Sequence, residues 1–230
     1  MNWTVFDHLL KNILKGTFQP GELLPSENEI VRQFQVPRLS VRRACETLEH
    51  LGYLTSQQGV GRRVRPSRAP LVLSLVREES FSDKMARSGK KIETRIVASR
   101  LVKARPKVQK ILGLRGKSVF KLARLRILGK TPVAIHISYL DPEKFPSLEE
   151  KGREVTSLFA YFRSEGFDQF EKKRARLSIT FPTSREHEIL DCPALVPLVM
   201  IESETLDARN QFVLQYTKIL YRSDLFVYEF

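Results

Sequence analysis

The chain has 230 residues, 42% of them hydrophobic and 28% charged, which is enough apolar material for two packed cores and too much for a disordered polymer. Its formal charge of +13 favours a polyanionic partner, while its two cysteines, Cys45 and Cys192, stand far apart without metal-ligand spacing and exclude a disulfide framework or a zinc cluster. No run approaches the roughly 18 apolar residues of a membrane-spanning helix and the first residues lack a signal-peptide layout, so a reducing cytoplasm is the expected location.

The first element reads as a helix, because Val5, Phe6, Leu9, Leu10, Ile13 and Leu14 recur at three- and four-residue spacing and form one apolar stripe. A second helix opens at Ser26, which Glu29 follows three residues later in the order of a capping box. The third carries Val41, Ala44, Cys45, Leu48 and Leu51 on one face and stops at Gly52, where a left-handed helix end belongs. Arg38 and Arg42, four apart, project together from another face, with Arg43 beside them. The run Gln57-Gln58-Gly59-Val60-Gly61-Arg62-Arg63 then reads as a hairpin tip. Two arginines on a helix are by themselves most often a solvated surface. Between a capped helix and a glycine-tipped hairpin they describe a winged helix-turn-helix, whose recognition helix offers long cations to guanine edges and phosphates.

This segment resembles the N-terminal domain of the GntR family of bacterial transcription regulators. The resemblance is carried by Gly16, Pro20-Gly21, Leu24-Pro25-Ser26-Glu27, Val36, Arg38, Val41-Arg42, Ala44, Leu48, Gly52-Tyr53, Gly59, Gly61 and Val64. It implies DNA contacts by Ser26, Glu27, Arg38, Ser40, Arg42, Arg43, Gly61 and Arg62, with Gly61 and Arg62 tipping the wing. Two positions depart from the family: Pro37 replaces the usual serine at the start of the recognition helix, and Arg62 replaces the usual threonine after the second wing glycine. An arginine there is placed to enter a minor groove.

Through residue 68 there are ten Lys/Arg against six Asp/Glu, so most of the +13 lies further on and DNA binding alone does not account for it. Prolines around residues 66–70 mark a linker, taken as 67–78 between a DNA-binding domain of 1–66 and a second domain of 79–230. Beyond it, segments 92–103, 118–128, 133–140, 173–181, 198–206 and 212–221 read as strands, and 106–114, 156–166 and 184–190 as helices. The fold class is therefore α+β, with an antiparallel sheet and helices packed on it. Segments 80–90, 121–140, 155–162 and 215–224 resemble the UTRA ligand-sensing domain of the HutC-type branch of that family. The resemblance implies a chorismate lyase-like sheet around a small-molecule pocket.

Arg124 and Arg126 are two apart in a strand and point to one face, beside Phe120, Leu122 and Leu128. Their guanidiniums repel each other unless an anion or a carboxylate sits between them. Ser80, Phe81 and Ser82 precede a short helix and offer N–H and hydroxyl donors. The resemblance implies that these segments hold the phosphate or carboxylate of an effector. Where sugar-phosphate sensors of this kind carry glutamates the chain has His136 and Gln215, and where they have tyrosine it has Phe159 after Ser157; Tyr221 is kept. An amino-sugar phosphate is thereby disfavoured and a different small anion favoured. A two-residue Gly129-Lys130 turn would put His136 on the face opposite the arginines, and a three-residue loop would bring them together.

The expected function is a ligand-responsive transcription regulator, a repressor binding a near-palindromic operator as a homodimer, with an effector that changes the placement of its two DNA-binding heads. An enzyme is the alternative, since the second fold is shared with a lyase. Against it, the pocket candidates include no Ser-His-Asp set, metal cluster or carboxylate pair, and no cofactor is expected. A regulator whose pocket has decayed is a third reading, opposed by the retained arginines.

Overall fold

The computed structural model describes residues 3–66, 71–74 and 80–229. They divide into two compact units: the residues up to Pro66 with 181–187 and 192–196, and residues 71–180 with 188–191 and 197–229.

The first unit holds helices α1 (Trp3–Leu14), α2 (Glu27–Phe34) and α3 (Arg38–His50), then the hairpin β1 (Leu54–Gln57) and β2 (Gly61–Val64). Ser26 caps α2 with the full reciprocal box expected from its sequence. Pro37 occupies the N-cap of α3 and supplies no side-chain bond to the helix. At the other end Gly52 adopts φ +85, the left-handed conformation that costs glycine little. The apolar stripes of the three helices meet in one core, in which Val5, Leu9, Ile30, Val41, Ala44, Leu48 and Leu54 are all buried. Cys45 lies in that core, and burial raises its thiol to about 11, so it packs as a small apolar side chain.

The remaining elements are β3 (Leu71–Ser74), α4 (Phe81–Arg87), β4 (Ile92–Lys103), α5 (Pro106–Leu112), β5 (Ser118–Leu128), β6 (Thr131–Leu140), α6 (Leu148–Lys151), α7 (Leu158–Ser164), β7 (Phe170–Thr180), α8 (Ser184–Leu190), β8 (Leu198–Asp207), β9 (Val213–Arg222) and β10 (Phe226–Glu229). Six strands form an antiparallel sheet in the order β4-β5-β6-β9-β8-β7, in keeping with the expected α+β class. Residues 71–74, read from sequence as linker, instead form a strand parallel to β10. The reason is Leu71 and Leu73, both buried, alternating with exposed Val72. The rest of the expected linker lies outside the described residues.

The two faces of the sheet differ. Val108 and Leu112 of α5 pack with Val119 and Tyr216 on one face. On the other, α7 brings Leu158 and Phe162 onto Phe120, Leu122 and Leu140, while α4 brings Phe81 and Met85 onto Ala134, Val199 and Tyr221. Between α4 and α7 the even-numbered residues of β5 and β6 meet open space rather than a helix. No helix among the described residues is long and apolar enough to cross a membrane.

Candidate functional site

The first site lies where α2, α3 and the hairpin converge. The Ser26 hydroxyl accepts the Glu29 N–H at 3.3 Å, and the Glu29 carboxylate accepts the Ser26 N–H at 2.7 Å. This cap fixes the first turn of α2, and with it Glu27. The Glu27 carboxylate accepts two arginines, Nε of Arg38 at 3.1 Å and Nη1 of Arg62 at 2.6 Å. The Arg62 bond, opposed by burial and assisted by Arg38, holds Glu27 below the usual carboxylate value. One turn along α3, Arg42 pairs with Glu46 at 3.0 Å, and both side chains are exposed. Arg43 is exposed beside them, and half-buried Ser40 donates its N–H to the Pro37 carbonyl at 2.8 Å.

The wing corrects one expectation. Its turn is Gln58-Gly59-Val60, and Gly61 and Arg62 are the first residues of β2, opposite Gln57 and Ser56. Strand alternation turns Arg62 inward to Glu27, leaving its side chain 18% exposed, and sends Arg63 to the Gly21 carbonyl at 3.0 Å. Arg62 therefore does not tip the wing.

The second site is a cavity of about 360 Å³ in the second unit. Its position depends on a register that the sequence left open. The β5–β6 turn has two residues, Gly129 and Lys130, between paired Leu128 and Thr131. Yet Arg124 lies opposite His136 on the same face, because the register moves by one residue between the Ile127–Pro132 and Arg126–Ala134 pairs. That β-bulge leaves Val133 unmatched and flips everything beyond it to the other side. Pro132, which cannot donate to a ladder, is the sequence signal for it. From His136 the same face continues to Ile219 on β9 and Ile201 on β8.

Ser80, Phe81, Ser82, Arg124, Arg126, His136, Ser157, Gln215 and Tyr221 all line this cavity, with Phe159. Arg124 and Arg126 are 4% and 3% exposed. Arg124 donates from Nη1 to the Thr156 carbonyl at 3.4 Å and from Nη2 to the Ser138 hydroxyl at 3.2 Å, and Arg126 donates from Nη1 to the Thr94 hydroxyl. All these acceptors are neutral. Among the described residues, both Nε atoms, His136 Nε2 and Gln215 Oε1 are buried with no partner, and no Asp or Glu lines the cavity. Burial, with its neighbour Arg126, pulls Arg124 well below the ordinary arginine value, and burial pulls Arg126 down to about 10. Burial, then the two arginines, also holds His136 neutral. A buried charge without a counter-charge costs several kcal/mol, roughly what an incoming anion would relieve.

The other polar residues have prior commitments. The Ser80 hydroxyl caps α4, accepting the Asp83 N–H at 3.1 Å and donating to the Asp83 carboxylate at 2.7 Å. Ser157 caps α7, accepting the Ala160 N–H at 3.3 Å. Gln215 Nε2 donates to the Thr205 hydroxyl at 3.3 Å. Phe81 lies edge-on against His136 at 5.0 Å, and Tyr221 packs against both. Sequence reasoning missed Lys84, Lys172, Ser203, Thr205 and Thr217 in the lining, and Ser138, which accepts the Arg124 bond behind it. Ser138 and Thr217 were recoverable, being two residues beyond His136 and Gln215 on the same faces. Lys172 was not, because a second bulge, between Lys172 and Arg174, sets its side. With two guanidiniums, an unpartnered imidazole nitrogen and no acid among the described residues, the cavity is suited to hold an anion and to repel an ammonium group.

Residues 3–64 match the gntR family of bacterial regulatory proteins, and residues 87–227 match the UTRA domain. Over 225 residues the chain is 28% identical to the HTH-type transcriptional regulator GgaR of Escherichia coli strain K12, covering 97% of this chain and 88% of that protein. It is 26% identical to the HTH-type transcriptional repressor NagR of Bacillus subtilis strain 168 over 227 residues, 98% of this chain and 92% of that one. The crystal structure of PhnF from Mycobacterium smegmatis superposes with a TM-score of 0.63 at 23% identity, covering 98% of this chain and 97% of that one.

Proposed function

The chain belongs to the GntR family of bacterial regulatory proteins, with a C-terminal UTRA domain, and from that premise we propose how its two sites are used. It is a ligand-responsive DNA-binding transcription regulator and not an enzyme. The finer reading is a cytoplasmic repressor that binds a near-palindromic operator as a homodimer, one winged helix per half-site. Arg38 and Arg42 of α3 reach base edges or adjacent phosphates. A small phosphate-, phosphonate- or carboxylate-bearing metabolite occupies the cavity of the second unit and shifts operator affinity by binding two states of the protein unequally.

The observation that carries the effector reading is the pair Arg124 and Arg126, buried with unpartnered Nε atoms in a cavity that no carboxylate of the described residues lines. Gln215, in place of a glutamate, presents an uncharged oxygen, so an amino group on the ligand finds no counter-charge. The test is operator release by the full chain, read by fluorescence anisotropy against a panel of phosphorylated, phosphonylated and carboxylated metabolites. A neutral-bodied anion is expected to release DNA at the lowest concentration. Glucosamine 6-phosphate as the tightest ligand would contradict the reading. Sedimentation of the full chain at micromolar concentration as a monomer would contradict the dimer.

A further inference from the structure

We propose that Arg62 is a positioning residue for operator recognition: by neutralising Glu27 it leaves Arg38 available to DNA. The inference rests on the reading of α3 as the recognition helix.

Glu27 is shared by two arginines of unequal standing. The Arg62 pair is short, at 2.6 Å, and its side chains are 18% and 20% exposed. The Arg38 pair is 3.1 Å long, and the Arg38 side chain is 68% exposed. An exposed ion pair contributes little to stability, so a phosphate or a guanine edge can displace it. The less exposed, charge-assisted pair is the stronger of the two. Competition by DNA therefore separates Arg38 from Glu27 while Arg62 stays.

The backbone of Arg62 supports this division. It pairs with Ser56 across the hairpin, and its carbonyl accepts the Leu24 N–H at 2.8 Å, so the side chain is delivered to Glu27 from a fixed strand. Without Arg62, the Glu27 carboxylate would have Arg38 as its one arginine partner among these bonds. It would hold that side chain back and set a negative charge against the DNA backbone. The wing then contributes to recognition through a carboxylate on another element, and not by reaching DNA with this side chain.

The experiment measures full-chain binding to a duplex that the wild type has selected from a random-sequence pool, by anisotropy across a range of salt. Arg62→Thr is expected to weaken binding about tenfold, the factor corresponding to about 1.4 kcal/mol. Adding Glu27→Gln to that variant is expected to restore affinity to within about threefold of wild type with an unchanged salt slope, because no phosphate contact was lost. Arg62→Lys, which keeps the charge, should bind nearly as wild type. Wild-type affinity in Arg62→Thr would overturn the proposal. So would a double variant as weak as Arg62→Thr, with a salt slope shallower by about one phosphate contact, since Arg62 would then touch DNA itself. Should Arg62→Thr fail to fold, Arg62→Gln carries the test in its place: a loss that Glu27→Gln restores supports the proposal, and wild-type affinity or a loss that Glu27→Gln leaves in place overturns it. Arg38→Ala separates the two readings. If it binds as wild type, the recognition-helix reading fails; if it weakens while Glu27→Gln gives no rescue, only the role of Arg62 fails.

Discussion

The two units treat arginine in opposite ways. In the winged helix, Arg38 and Arg62 share Glu27, and Arg42 has Glu46. In the sensor unit, Arg124 and Arg126 are more deeply buried, yet every acceptor they reach among the described residues is neutral. Solvent explains the Arg38 and Arg42 pairs: exposed pairs form and break at little cost, so these two side chains can stand against a carboxylate alone and against a phosphate in a complex. Burial explains the arrangement in the sensor unit. A charge held away from water without a partner is a standing cost, retained where something else supplies the opposite charge. An exposed arginine paired with a carboxylate can exchange partners, whereas a buried one with only neutral acceptors suits an incoming anion.

The largest expected effect breaks the comparison on the sensor side. Arg124→Met removes an uncompensated buried charge while keeping much of its volume. Ligand-free stability in urea should rise by about 1–4 kcal/mol, as when buried charges give way to apolar side chains. A destabilised Arg124→Met would mean that the guanidinium already has adequate compensation. Arg42→Ala should do the reverse. It leaves stability within about 0.5 kcal/mol, as surface substitutions do, and costs about 1–3 kcal/mol of operator binding if its contact is bidentate to guanine. Unchanged affinity in Arg38→Ala and Arg42→Ala alike would remove α3 from the interface.

A smaller effect sharpens the electrostatics of the cavity. The folded state keeps His136 neutral, its pKa depressed by burial and then by the two arginines. The unfolded chain takes up that proton near the ordinary value of about 6.5. Below that pH the unfolded state binds more protons, so stability must fall as the solution is acidified, by up to about 1.4 kcal/mol per pH unit. Between neutral and mildly acidic pH the urea midpoint of wild type should fall further than that of His136→Gln if His136 carries this loss. Parallel curves would assign the acid sensitivity elsewhere. The smallest effect belongs to the cap that fixes Glu27: Ser26→Ala should cost about 1 kcal/mol in thermal unfolding. No change there would show that the box contributes nothing to α2.

The same contrast runs through what the sequence disclosed. The winged helix was legible because its signals are local: the Ser26–Glu29 box, the stripe from Val41 to Leu48 and the glycine at 52 each act within a turn or two. The destination of Arg62 was not, since its partner stands 35 residues earlier on another element. In the sensor unit the strand bounds 92–103 and 118–128 agree with those observed, because alternation and turn residues are also local. Which face His136 occupies was undetermined. One unmatched residue, Val133, reverses it, and only Pro132 hinted at the bulge. Residues 71–74 were taken for linker because their partner strand, β10, lies at the far end of the chain. Local chemistry names the candidates, and long-range pairing decides which of them meet.

The most direct measurement is the thermal unfolding of the full chain, wild type against Arg124→Met, with phosphate-, phosphonate- and carboxylate-bearing metabolites at matched ionic strength. An anion that enters the cavity stabilises the folded state in proportion to RT ln(1 + [L]/Kd), about 2.7 kcal/mol at a hundredfold excess over Kd. At least one such anion is expected to raise the wild-type Tm and to leave Arg124→Met unmoved. A panel that raises neither, or an equal rise in both, would contradict the claim that these arginines await the charge of a ligand.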